Sequence, residues 1–180
     1  MSVIQCETRI VNIADWAVVH LPGEASEQLS SRGIVVIEGT LNDLPFMILL
    51  EPDGKGSHWF RVSDPILKEG KLGIGDKVKL VFIQTYNWPD SDLPPDLEDA
   101  LKQASLYDRI WQKLSTRAKW EWIRWIRSAK HEETRSKRIE LALDKLNKGL
   151  KTPCCFNSAS CTEPHVSRNG ILLDETCYVT

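Results

Sequence analysis

No stretch of this 180-residue sequence approaches the ~18 uninterrupted apolar residues that a membrane-spanning helix needs. The first ten residues, MSVIQCETRI, have no charged n-region, apolar h-region or small-residue cleavage site, so they do not read as a signal peptide. The expected location is cytoplasmic. Thiols are kept reduced there, so the five cysteines do not read as a disulfide framework. Catalytic signatures are equally scarce. Only four histidines occur (His20, His58, His131 and His165), and neither G-x-S-x-G nor H-E-x-x-H is present. His131-Glu132-Glu133 has the wrong spacing for zinc hydrolysis. A hydrolase or transferase needs a nucleophile, a base and an orienting group together. The sequence offers no such set, and the expectation is a protein that is not an enzyme.

What is present suffices for a folded core. Hydrophobic residues make up 42% and charged residues 27%, which excludes a wholly disordered chain. The length allows one compact domain or two small ones. The net charge of −2 conceals an imbalance. Residues 1–108 hold 9 Lys and Arg against 17 Asp and Glu, whereas residues 109–151 hold 13 against 5. Such a split suits either a polyanionic partner or two halves that complement each other. Four of the seven tryptophans (Trp111, Trp120, Trp122 and Trp125) fall within fifteen residues of the basic half.

The acidic half reads as strands. Ile4, Cys6, Thr8 and Ile10 alternate with polar residues, as one face of a strand. A second strand fits residues 15–21, ended by Pro22-Gly23, and a short helical turn fits Glu24 to Leu29. Ile34 to Ile37 is apolar on both faces. Asn42-Asp43 predicts a hairpin into Phe46–Leu50, and Pro52-Asp53-Gly54 a turn into a strand over Ser57–Val62. A short helix at Pro65–Leu67 precedes a sixth strand, Val78–Tyr86. Six short strands with glycine-bearing turns and no long helix between them suggest a small closed barrel filled by side chains.

The basic half reads as about four helices. Pro94-Pro95-Asp96 starts the first, with Leu97, Ala100 and Leu101 on one face. Ser105 is expected to cap a second, carrying Leu106, Ile110, Trp111 and Leu114. Ser115 or Thr116 caps a third, with Ala118, Trp122, Trp125, Ile126 and Ala129 as its stripe. The fourth carries Ile139, Ala142, Leu143 and Leu146 and stops at Gly149. The expected fold is therefore α+β: a closed six-stranded barrel over 1–90, a helical region packed on it over 91–150, and an extended, cysteine-rich tail over 151–180. Barrel and helices are expected to form one cooperative unit through the Asp90–Pro95 linker, because the tryptophan stripe needs cover.

Three segments carry a resemblance. PDGKGSHWFRV (52–62), GIGDKVKL (73–80) and WIRWIRSAKHEETRSKRIELALDKLNKG (122–149) resemble the YdeI/OmpD-associated, or bacteriocin-protection, family. The run Ala129, Lys130, Thr134, Arg135, Arg138 and Ile139 is the most specific part, and the tail 153–173 resembles that of longer members. The resemblance implies an N-terminal domain of unknown function, folded as a barrel, before a helical package. It also implies a link to stress or antimicrobial-peptide resistance. It brings no catalytic residues.

For chemistry, the loop Asp53-Gly54-Lys55-Gly56-Ser57-His58-Trp59 stands out. Its two glycines let backbone N–H groups converge into an anion-binding nest, and Lys55 adds charge, although the phosphate-loop spacing is absent. Gly54, Lys55, Gly56, Ser57, His58 and Trp59, with Arg61 and Arg135, are the candidate ligand residues, for an anionic small molecule or polymer. Arg135 lies four residues before Ile139, so it can instead clamp acidic residues of the barrel. The alternative partner is nucleic acid, with Arg117, Lys119, Arg124, Arg127, Lys130, Arg135, Lys137 and Arg138 on phosphates and Trp120, off the main stripe, stacking a base. Glu121 and Glu133 sit at helical spacing from several of these cations and can pair with them.

The tail allows two readings. Cys154 (or Cys155), Cys161, His165 and Cys177 are ligand types that zinc favours, and four would close a tetrahedral site. One of the adjacent cysteines is then left over. Alternatively, cysteine and Phe156 pack the tail over the helices as small hydrophobes with all thiols free, while Ile171, Leu172 and Leu173 dock as an extended arm or added strand.

Overall fold

The computed structural model describes residues 1–154 and 156–176. The chain divides into two compact units. One comprises residues 1–87 with 158–161 and the segment from His165 onward; the other comprises 88–157 and 162–164.

The first unit is a closed antiparallel barrel. Its strands are β1 (Ile4–Ile13), β2 (Trp16–His20), β3 (Val35–Leu41), β4 (Leu44–Pro52), β5 (His58–Arg61) and β6 (Lys77–Thr85). Around the wall they run β1-β2-β5-β4-β3-β6, and the β1–β6 pairing from Ile4↔Phe82 to Arg9↔Lys77 closes the circle. Closure gives every wall strand a neighbour on each side. The hairpin at Asn42-Asp43 forms as the sequence predicts, with φ of 45° and 68° joining Leu41 to Leu44. Two short helices, α1 (Gly23–Glu27) and α2 (Asp64–Gly70), occupy the two expected helical stretches. The interior is filled by Ile10, Val19, Ile37, Leu50, Phe60, Leu80 and Phe82, all at most 1% exposed.

The apolar residues on both faces of β2 are covered at its centre. Val19 belongs to the interior, while its neighbour Val18 joins a second apolar cluster with Ile13, Trp59, Cys161, Val166 and Leu172. The last three come from the tail. There, β7 (Ser167–Arg168) and β8 (Ile171–Leu172) form a small hairpin. Leu172 N–H donates to Asp53 O (2.9 Å), Thr176 N–H to Asn12 O (2.7 Å), and Cys161 N–H to Gly170 O (2.8 Å). The tail thus docks on the barrel through Cys161, Val166 and Leu172, as a hairpin rather than the expected extended arm or added strand, and Ile171 and Leu173 stay exposed.

The second unit is helical: α3 (Pro95–Gln103), α4 (Thr116–Arg127) and α5 (Glu132–Asn147), with one 3-10 turn at Trp111–Lys113. The second predicted helix does not form. Ser105 adopts φ +56° after α3, and the N–H groups of Leu106 and Tyr107 both donate to Leu101 O. Ser105 therefore ends one helix rather than capping another. Ser115 is the cap of α4, its Oγ accepting from Ala118 N–H at 3.2 Å. Leu97, Leu101, Trp111, Trp122, Ile126, Ile139 and Leu146 form the core of this unit. Among the described residues no helix is long and apolar enough to cross a membrane.

Candidate functional site

The turn between β4 and β5 is organised around one carboxylate. Asp53 Oδ1 accepts the N–H of Lys55 (2.7 Å) and the N–H of Ser57 (2.9 Å). Gly54 and Gly56, at φ +79° and +99°, provide the backbone path that aims these donors inward. The convergent N–H groups that the sequence suggested are there, but their anion is the side chain of Asp53 itself. The remaining candidates in this loop are likewise engaged within the fold. Ser57 Oγ–H donates to Leu21 O (2.9 Å), and Trp59 Nε1–H donates to Pro52 O (3.2 Å). Arg61 lies 4.4 Å over the ring of Trp16.

His58 is fully buried. Its Nε2 is 2.8 Å from Gly33 O, which can only accept, so Nε2 carries the proton; Ser26 Oγ–H then donates to Nδ1 at 2.7 Å. Burial pushes this imidazole's pKa below its ordinary value, despite the opposing bond to Gly33. The unfolded chain takes up the proton near pH 6.5, whereas the folded one resists it, so acid favours unfolding. We expect the thermal midpoint to fall as pH is lowered from 7 to 5. In His58→Gln, already destabilised at pH 7, the midpoint should depend less steeply on pH. An equal slope in both proteins would remove His58 as the cause.

Asp53 Oδ2 faces a different partner. His20, the last residue of β2, donates Nε2–H to it at 2.8 Å. Burial raises the Asp53 carboxyl pKa, but the His20 bond and the two backbone N–H groups outweigh it, and the group stays below the usual carboxylate range. When the His20 ring is neutral, an ionised Asp53 places its proton on Nε2 and leaves Nδ1 as a lone-pair acceptor. The Asp53 side chain is 5% exposed and that of His20 43%. A buried anion therefore orients an accessible ring.

The two line a cleft of about 270 Å³. Val11, Ile13, Leu172 and Leu173 make its apolar wall, and Lys55, Asp174 and Glu175 its polar part. Lys55 Nζ lies 3.8 Å from Asp174 Oδ1. The cleft thus has one side from β1, β2 and the Asp53 turn, and the other from the tail. A second cleft of the barrel, about 230 Å³, includes Asp15, Arg61 and Asp64. There, Asp15 is bonded to His165 Nε2 and Arg61 is stacked on Trp16, so these two charges are engaged by neighbours.

Of the candidate ligand residues named from sequence, Lys55 alone lines the larger cleft, together with Asp53 of the same loop. His20, Leu172, Leu173, Asp174 and Glu175 were not singled out for it. One signal was available for Asp53: an aspartate followed two and four residues on by donors beside glycine is an Asx-turn pattern. Nothing in the sequence ties His20 to it across 33 positions.

The other candidates lie elsewhere. Arg135 meets Asp96 of α3, not the barrel, through a bidentate pair at 2.6 and 2.9 Å that holds the Asp96 carboxyl pKa low. Its clamp is internal to the helical unit because the first turn of α3 presents a carboxylate within its reach. Arg124 is buried beside Glu121 and Phe156, Arg127 bonds Thr162, Arg138 bonds Trp125 O, and Arg117 lies over Trp88. Trp120 donates Nε1–H to Pro89 O at 2.9 Å and is partly buried. Much of the basic, aromatic set is thus engaged inside its own unit. In the tail, Cys161 is buried in the outer cluster, His165 is held by Asp15 and Trp16, and Cys154 accepts from Lys145 Nζ at 3.2 Å. Cys155 and Cys177 lie outside the described residues. Among the described residues no three His, Cys, Asp or Glu gather as a metal site.

Comparison with known proteins agrees with this two-part construction. Residues 4–81, the barrel, match the model of a domain of unknown function, DUF1905. Residues 90–149, the helical region, match the model described as Bacteriocin-protection, YdeI or OmpD-Associated. A search of curated proteins finds no match. The barrel is thus similar to a domain of unknown function, and the helical region that follows it to the YdeI/OmpD-associated family.

Proposed function

We propose that this protein is a non-enzymatic binding module that takes a small, partly apolar ligand in the cleft bounded by His20, Asp53 and the tail. The observation that carries this reading is the pairing of an apolar wall with an oriented polar group, the general make-up of small-molecule sites. The cleft is near the lower end of the usual size range, which suits a compact ligand. Among the described residues its lining contains no serine, threonine or cysteine, so an attacking hydroxyl or thiol is not at hand. We read the binding as part of the protection against bacteriocins that the family's description names. An anion held by the loop's N–H groups is disfavoured, since Asp53 already takes two of them. A nucleic-acid role for the helices is disfavoured by the internal engagement of Arg124, Arg127, Arg135 and Trp120.

The test is a thermal-shift panel of small amines, carboxylates, phosphorylated metabolites, nucleotides and oligonucleotides, repeated on Val11→Trp, which fills the cleft. Any ligand bound only by the folded state raises the midpoint. We expect stabilising compounds to act on the wild-type chain and lose their effect in the variant. Shifts that survive in Val11→Trp, or shifts from oligonucleotides alone that fade steeply with salt, would overturn the assignment.

A further inference from the structure

The charges of the cleft are uneven. Asp53, Asp174 and Glu175 line it, against the single ammonium of Lys55, which already has Asp174 as its counter-ion at 3.8 Å. His20 adds no charge while its ring is neutral, and its Nε2 is taken by Asp53. The ring nitrogen left to a ligand is Nδ1, an acceptor. An incoming anion would meet two rim carboxylates and an acceptor nitrogen. The loop donors Lys55 N–H and Ser57 N–H are already bonded to Asp53 Oδ1. A cation carrying N–H groups meets the opposite situation: an acceptor at His20, carboxylates at the rim, and an apolar wall of Val11, Ile13, Leu172 and Leu173 alongside.

We propose that the ligand of this cleft is a primary alkylammonium compound, its nitrogen donating to His20 Nδ1 and toward Asp174 or Glu175, its alkyl chain lying on Val11, Ile13, Leu172 and Leu173. This rests on the cleft reading above and specifies its ligand class. Three N–H donors on one nitrogen match an acceptor ring and two carboxylates better than a single hydroxyl does. A hydrogen bond in which one partner is charged is also the stronger kind. Recognition by the rim is long-range and screened, because both carboxylates are exposed, whereas recognition by His20 is short-range and oriented by a buried anion.

The experiment compares n-pentylammonium, 1-pentanol and pentanoate, matched in chain length, by titration calorimetry and NMR on the full chain at low salt and pH 8. The expected order is pentylammonium about tenfold tighter than pentanol, from one charge-assisted hydrogen bond, with pentanoate weakest. The nitrogen resonance of His20 Nδ1 should move on adding the amine. Asp174→Asn/Glu175→Gln, both on the exposed rim and safe for folding, should weaken the amine about threefold, leave pentanol unchanged, and erase most of the salt dependence. His20→Phe should remove the preference for amine over alcohol; the rim variant covers the case in which His20→Phe fails to fold. Pentanoate binding as tightly as the amine, and lost in Val11→Trp, would overturn the ligand class while sparing the cleft. Amine binding that leaves His20 Nδ1 unmoved, or no amine binding at all, would also overturn it. Failure of the whole panel as well would remove the cleft reading too.

Discussion

Gly54→Ala should lower the thermal midpoint by roughly 6–12 °C, far more than the same change two residues on. A Cβ built on Gly54 falls 2.0 Å from Gly170 O and 3.0 Å from the Cα of Ile171, both backbone atoms of the tail hairpin. No rotation of a side chain can relieve that contact. The φ of +79° costs an alanine about 1–2 kcal/mol in any case. Displacing the hairpin then loosens the bond from Leu172 N–H to Asp53 O and opens the cluster around Val18 and Trp59. Together these amount to about 3 kcal/mol, and each kcal/mol moves the midpoint by about 2–4 °C at this chain length. Gly56 is the internal control. It too has positive φ, at +99°, but its Cβ would meet nothing within 4 Å, so Gly56→Ala should cost only the backbone strain of about 1–2 kcal/mol. Differential scanning of both variants decides it; equal midpoints would mean that the tail does not hold this turn.

Trp122→Ala should cost about 3–5 kcal/mol, the usual range for removing a large aromatic from a core. Trp122 is fully buried in the helical unit, edge-on to Trp125 at 6.0 Å between centroids, and its Nε1–H donates to Lys151 O at 2.8 Å. Alanine leaves a cavity among Leu97, Leu101, Ile126 and Leu146 and an unpaired carbonyl at the start of the following segment. Trp120→Phe, two residues away, keeps most of the apolar body and loses one hydrogen bond to Pro89 O, so about 1 kcal/mol is expected. Urea unfolding followed by circular dichroism separates the two. If Trp120→Phe proved as costly as Trp122→Ala, the division between buried stripe and off-stripe tryptophan would be wrong.

The barrel was legible because a closed wall imposes a period of two on every strand, and Ile4 to Ile10, the Asn42-Asp43 hairpin and the alternation of β6 all obey it. The period marks one buried face, so it gave no notice of Val18 and Trp59, which are covered from outside by residues about 140 and 110 positions later. Helix stripes at Leu97, Trp122 and Ile139 were legible for the same periodic reason. The helix expected after Ser105 failed because serine caps and serine in the left-handed region share one composition signal. The site suffered most. Its glycines let N–H groups converge, but whether these meet a ligand or Asp53 is a matter of two short distances. Likewise, spacing leaves Arg135 open as a ligand residue or as a clamp to the barrel, and its actual partner Asp96 is not visible there, since spacing shows which face a residue shares and not what lies opposite.

Synthesis order gives the docked tail one more consequence. The six wall strands end at Thr85, while Leu172, which covers their outer cluster, follows roughly 85 residues later. At about 5–20 residues per second, the ribosome leaves that interval at roughly 4–17 s. During it, a barrel that has already closed shows Ile13, Val18 and Trp59 to the surroundings as a sticky belt. A message truncated upstream of codon 158 would make this state permanent. Such a product should collect in the insoluble fraction or on chaperones although every strand of the wall is present, and an affinity tag is safer at the first residue than at the last.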